Sequence, residues 1–241
     1  MAIRCSTQGG IAWVTLGNTR AGNALDDRLA AALRDACRRI VEDDTVRVAV
    51  FTGAAAIFCS PPPGIRATPA AEAIAAIPKP TIAALNGDAT GAGLELALAC
   101  DIRLAARGSR MAMDQVARGE MPGDGGTQRL PRLITRSYAI DMLLTGRRLT
   151  ASQAQRIGLV TEVVPAAQLR QRTKELAQAL AAMAPVAARY VKEAIREGME
   201  TTLAQGLRLE ADLAVLLHTT KDRAEGISSF LERREPRFTG S

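Results

Sequence analysis

Aromatic side chains are scarce: phenylalanine, tyrosine and tryptophan together make up 3% of the 241 residues, and there is one tryptophan. That is poor material for a groove that stacks nucleic-acid bases, even though the net charge is +6. Histidine is nearly absent as well, with His218 the single example. The four cysteines, Cys5, Cys37, Cys59 and Cys100, form no CxxC pair. A zinc site therefore lacks its usual ligands, and no metal is expected. A Ser-His-Asp triad would have to use His218, and no G-x-S-x-G elbow accompanies it. No apolar run is long and uninterrupted enough to span a bilayer, and no secretory leader opens the chain. The expectation is a soluble, reduced, cytoplasmic protein without a nucleic-acid or membrane partner.

What the chain does have is small aliphatic residues. Hydrophobic residues make up 47% of the sequence, so Ala, Leu, Ile and Val must build the core. Dense alanine favours helices at close approach, and Cys37 and Cys100, in apolar surroundings, read as small core residues. "IRCST" and "IAWVTL" are β-rich and can pair through the Gly9–Gly10 turn. A helix is expected from Asp26, where an acidic start precedes apolar residues at helical spacing. "VRVAVFTG", "PTIAALNG" and "CDIRLAA" read as buried strands. The alternation of strands and helices predicts an α/β core. From about Thr135 the chain turns mostly helical, interrupted by the short strand "VTEVV". The expected division is an α/β core over residues 1–185 and a helical region over 186–241.

The segment "NGDATGAGLELALACDI", residues 86–102, combines a glycine turn with an apolar run carrying one carboxylate, Glu95. It is not a dinucleotide fingerprint: after Gly91 and Gly93 the third position is Leu96, and the turn lies far from the first strand. A P-loop would need a Gly-Lys-Ser/Thr ending. What remains is a helix N-terminus whose free N–H groups favour negative charge, including a developing oxyanion. Glu95 in its first turn reads equally as a dipole-favoured structural carboxylate or as a buried acid–base group with a raised pKa.

At this point the sequence resembles the crotonase superfamily, the enoyl-CoA hydratase/isomerase family. The resemblance runs through "NAL" (23–25), "VRVAVFTGAAAIFCS", "KPTIAALNGDATGAGLELALACDIRLAA", "MPGDGGTQRLPRLI", "LLTGRRLTASQAQRIGLVTEVVP" and "FLERREPRFTG", in the expected order. It implies a core of ββα spiral turns with a helical C-terminal trimerisation region, assembled as a homotrimer or a dimer of trimers. It implies acyl-CoA thioesters as substrate or ligand, with no other cofactor, and lyase or isomerase chemistry of the kind used in fatty acid metabolism. Two backbone N–H groups would hold the thioester oxygen; Ala92 matches one donor and Pro62 the other. Glu95 matches one catalytic glutamate, and the second falls at Gln115. Gly123 and Asp124 fall where the acyl group or a water is placed. Arg20, Ala21 and Gly22, with Gly64 and Ile65, match the CoA-binding side.

Two positions depart from the family pattern. Proline has no backbone N–H, so Pro62, within the run Pro61–Pro63, cannot be an oxyanion donor; a shifted loop would have to offer Gly64 or Ile65. Glutamine at 115 can orient water but cannot exchange a proton, and losing an acid–base group typically costs ~10²–10⁴-fold. Asp114 and Glu120 are nearby carboxylates that read as loop or surface groups. The expected function is an enoyl-CoA hydratase/isomerase-family protein with weak hydratase activity. The alternatives are an inactive acyl-CoA-binding or scaffold paralogue, and a CoA isomerase or decarboxylase needing one carboxylate.

Overall fold

The computed structural model describes residues 2–17, 22–61 and 68–241. The chain opens with a hairpin, β1 (Ile3–Gln8) and β2 (Ile11–Leu16), turned at Gly9–Gly10 as its sequence predicts. Helix α1 (Asp27–Glu42) begins where the Asp26 side chain accepts the Leu29 N–H at 2.7 Å. It buries Leu29, Ala30, Leu33, Ala36, Cys37 and Ile40, the i, i+3/i+4 stripe of an amphipathic helix. Then follow β3 (Val48–Gly53), β4 (Ile57–Cys59), α2 (Ala71–Ala75), β5 (Thr81–Leu85), β6 (Asp88–Thr90), α3 (Ala92–Leu98), β7 (Ile102–Ala106) and β8 (Arg110–Ala112).

Among the described residues the strands form two sheets. The larger has the order β1-β2-β3-β5-β7-β10, where β10 is Glu162–Val164; only the β1–β2 pair is antiparallel. Strands β3 and β5 are apolar on both faces because helices cover both sides of a parallel sheet. On one face lie α1 and α3; on the other lies α7 (Ala166–Ala181), whose Leu169, Ala177 and Ala181 pack with Val48, Val50, Ile82 and Leu104. The smaller sheet, β4-β6-β8-β9 with β9 at Leu149–Thr150, was not evident in the sequence. Its strands are two or three residues long, too short for a two-residue alternation to register.

Between β8 and β9 come α4 (Gly126–Leu133) and α5 (Arg136–Thr145), and α6 (Ala151–Arg156) leads to β10. After α7 the chain is helical: α8 (Pro185–Gly198), α9 (Leu203–Leu217) and α10 (Lys221–Glu232). Lys192 ties α8 to the larger sheet, donating to Asp101 Oδ2 at 2.8 Å and to the Lys79 carbonyl at 3.1 Å. The fold is the α/β crotonase arrangement, two mixed sheets followed by C-terminal helices. No helix among the described residues is long and apolar enough to cross a membrane.

Candidate active site

Helix α3 is the element that builds the site. Its seven residues are all buried. Gly91 opens it with φ +52°, a left-handed conformation that a side chain would strain. The Gly91 carbonyl accepts from Leu94 and Glu95, which leaves the Ala92 and Gly93 amides without an acceptor inside the helix. At the other end, the buried Arg103 guanidinium donates to the carbonyls of Cys100 at 2.6 Å and Leu159 at 2.8 Å, placing a cation at the negative end of the helix dipole.

Glu95 is 2% exposed. Its Oε1 accepts the N–H groups of Asp124 and Gly126, each at 2.8 Å, and its Oε2 accepts Gln115 Nε2 at 3.1 Å. Burial raises its pKa, the two backbone donors pull it back down, the Asp124 charge raises it further and the Gln115 amide lowers it. The balance leaves the carboxyl above the ordinary glutamate range. Gln115 is itself buried, and among the described residues its Oε1 has no hydrogen-bond partner. Glu95, Gln115, Ala92 and Gly123 line one cleft of about 370 Å³, part of it open solvent, with Pro61 on its rim.

The other carboxylates near the cleft are engaged. Asp124 Oδ2 accepts from Ala70 and Ala71 at 2.6 Å and so holds the start of α2. Asp114 pairs with Arg118 at 2.9 Å, and Glu120 meets the same guanidinium at 3.6 Å. Sequence reasoning missed three features. Arg118 lines the cleft, Gly126 serves as a backbone donor, and the buried Asn23 side chain donates to the carbonyls of Ala54 at 2.9 Å and Ile57 at 2.7 Å. Backbone donors carry no side-chain mark; the only cue to Gly126 is the glycine-rich run "MPGDGG". Of the CoA-side positions, Gly22 accepts from Ser60 Oγ through its carbonyl at 2.9 Å. Arg20, Ala21, Pro62, Gly64 and Ile65 lie outside the described residues.

Fold and cleft define a class: an α/β protein that presents a buried carboxylate and free helix-terminal amides to one pocket. Residues 66–241 match the enoyl-CoA hydratase/isomerase family. The chain is 38% identical to the 2,3-dehydroadipyl-CoA hydratase of Escherichia coli over 98% of this chain and 97% of that protein. It is 39% identical to the bovine mitochondrial enoyl-CoA hydratase domain-containing protein 2, over 96% of this chain and 85% of that one. The crystal structure of an enoyl-CoA hydratase from Bacillus anthracis superposes with a TM-score of 0.96 at 34% identity, covering both chains completely. This chain belongs to the enoyl-CoA hydratase/isomerase family.

Proposed function

We propose that the chain acts on acyl-CoA thioesters in the cleft around Glu95, with the Ala92 amide as an oxyanion donor, and that it hydrates enoyl-CoA weakly. One observation carries the second half of this reading. The residue facing Glu95 across the cleft is an amide, Gln115, 3.1 Å away. Its unpartnered Oε1 suits a water hydrogen, yet an amide cannot take that proton. Pro62, at the position that resembles the other oxyanion donor, has no N–H to give. Loss of one such donor costs roughly 3–4 kcal/mol of transition-state stabilisation. Reactions that need one carboxylate, such as isomerisation or decarboxylation, are the second reading. Supporting it, Asp114, Glu120 and Asp124 are each bound elsewhere, leaving Glu95 as the proton carrier of the cleft.

Crotonyl-CoA tests the reading through the loss of its conjugated enoyl absorbance. Hydration is expected at least ~10²-fold below that of a relative with two glutamates; equal turnover overturns the expectation. Calorimetry with CoA and acyl-CoA is expected to show binding, and no binding of either would remove the whole assignment. Gln115→Glu is expected to raise kcat/KM by less than about tenfold, because the donor supply at Pro62 is unchanged. A gain of ~10²-fold or more would place a working donor in that loop.

The family resemblance also suggests self-association, as a homotrimer or a dimer of trimers. The faces of the C-terminal helices support it. Val191, Ile195 and Met199 form an i, i+4, i+8 stripe along and just beyond α8, 59–63% exposed, while Leu203 on α9 and Phe230 on α10 are 79% and 82% exposed. Contiguous apolar surface of this kind marks interaction sites. Analytical ultracentrifugation is expected to give three or six times the 25.5 kDa chain mass; a monomer at micromolar concentration would overturn this.

A further inference from the structure

The larger sheet has a second opening, on the face away from α3. Cross-strand register places Arg4 opposite Thr15 and Ser6 opposite Trp13, and the row continues through Thr15–Thr52. This row and the first turn of α7 enclose a crevice of about 1270 Å³, part of it open solvent. It lies at the carboxyl ends of β2, β3 and β5, the position where open α/β sheets bind ligands.

The chemistry of the lining is one-sided. Arg4 and Arg170 both reach it, and no carboxylate does. Among the described residues neither arginine has an ion-pair or hydrogen-bond partner, and the residues outside that set include no aspartate or glutamate. Glu162, an acid close in sequence to the start of α7, is held by Arg172 at 2.9 Å. Helix α7 has 16 residues, a proline at its N-cap, no side-chain cap and no acidic residue in its first turn. Its positive end therefore adds to the two guanidinium charges instead of being neutralised. Arg170 is steadied by the Trp13 ring, 5.4 Å from guanidinium carbon to ring centroid. Trp13 and Leu169 supply apolar wall beside these cations.

We propose that this crevice binds a small phosphorylated organic molecule, its phosphate held by Arg4, Arg170 and the first amides of α7, its organic part against Trp13. Planar guanidinium forks and helix amides together match the acceptor geometry of a phosphate. The site is separate from the Glu95 cleft and does not depend on what that cleft does.

Trp13 is the sole tryptophan, so intrinsic fluorescence reads this site directly. Adenosine monophosphate, titrated at constant ionic strength, is expected to give a saturable change that inorganic phosphate competes away. Arg4→Gln, which leaves the Arg170–Trp13 contact in place, and Arg170→Gln are each expected to weaken binding at least about tenfold. Acyl-CoA binding and crotonyl-CoA turnover are expected to stay at wild-type levels in both variants. A response that survives in both variants, or no response at millimolar ligand, overturns the proposal. So does a fluorescence change that follows protein concentration without ligand, since a second copy would then be covering the crevice. Benzoate binding as tightly as the phosphate compounds would reject phosphate as the recognised group.

Discussion

Glu95→Gln is expected to lower kcat/KM for any CoA substrate of this protein by ~10²–10⁴-fold while making the fold more stable at neutral and alkaline pH. The two effects share a cause. Burial holds the Glu95 carboxyl above its ordinary pKa, so the folded chain binds its proton more tightly than the unfolded chain does. Above both values the fold carries a charge that it disfavours. Wild-type stability is accordingly highest below the unfolded-state pKa of Glu95, falls as pH rises from there through the raised folded value, and is level in this respect beyond it. The substituted amide does not titrate, so the advantage of the variant grows through that window and then stays constant. Its hydrogen bonds can also be met. The new side-chain carbonyl can take over the Asp124 and Gly126 donors, and the Gln115 amide can rotate to offer its unpartnered Oε1 to the new NH₂ group. Each kcal/mol gained raises Tm by about 2–4 °C in a chain of this size. Glu95→Leu, by contrast, strands both backbone donors at about 1–3 kcal/mol each and is expected to destabilise. Thermal unfolding from pH 4 to pH 8 checks the pattern. If Glu95→Gln proves less stable than wild type at pH 8, the carboxylate is a structural anchor and the acid–base role falls.

Gly93→Ala is expected to be the most damaging small substitution in the chain. A Cβ there would lie 1.9 Å from the Cys59 carbonyl oxygen and 2.4 Å from its carbon. Both are backbone atoms of β4, so no side chain can swing aside; helix and strand must separate. A loss of about 4 kcal/mol or more is expected, equivalent to a fall in Tm of roughly 8–16 °C. Turnover should fall with it, because α3 carries both the Ala92 amide and Glu95. Gly108→Ala is the control: nothing stands within 4 Å of a Cβ there, and a change within about 0.5 kcal/mol is expected. Equal unfolding midpoints for the two variants would show that α3 and β4 are not in close backbone contact.

The same contrast explains what could be read from the sequence. Strands β2, β3, β5 and β7 were legible because each is an apolar run long enough to show itself, and the hairpin because Gly9 and Gly10 both take positive φ. The smaller sheet was not, since each of its strands is defined by neighbours far along the chain. A carboxylate among the apolar residues 94–98 had to be paired or perturbed, and Glu95 is both. Its partners are main-chain amides some 30 residues away, which composition cannot announce. Asp124 looked like a loop acid; its grip on Ala70 and Ala71 joins segments 53 and 54 residues apart, a pairing that only the folded chain reveals.

Ala92 and Glu95 stand three positions apart on one rigid turn, an axial rise of about 4.5 Å. The spacing between the group that would steady a negative oxygen and the group that would ferry a proton is therefore set by backbone geometry and resists drift. Gln115 and Gly123 come from a separate stretch, free to vary without disturbing that turn. A scaffold divided this way can trade one reaction for another by rewriting a dozen residues, keeping its most demanding alignment intact.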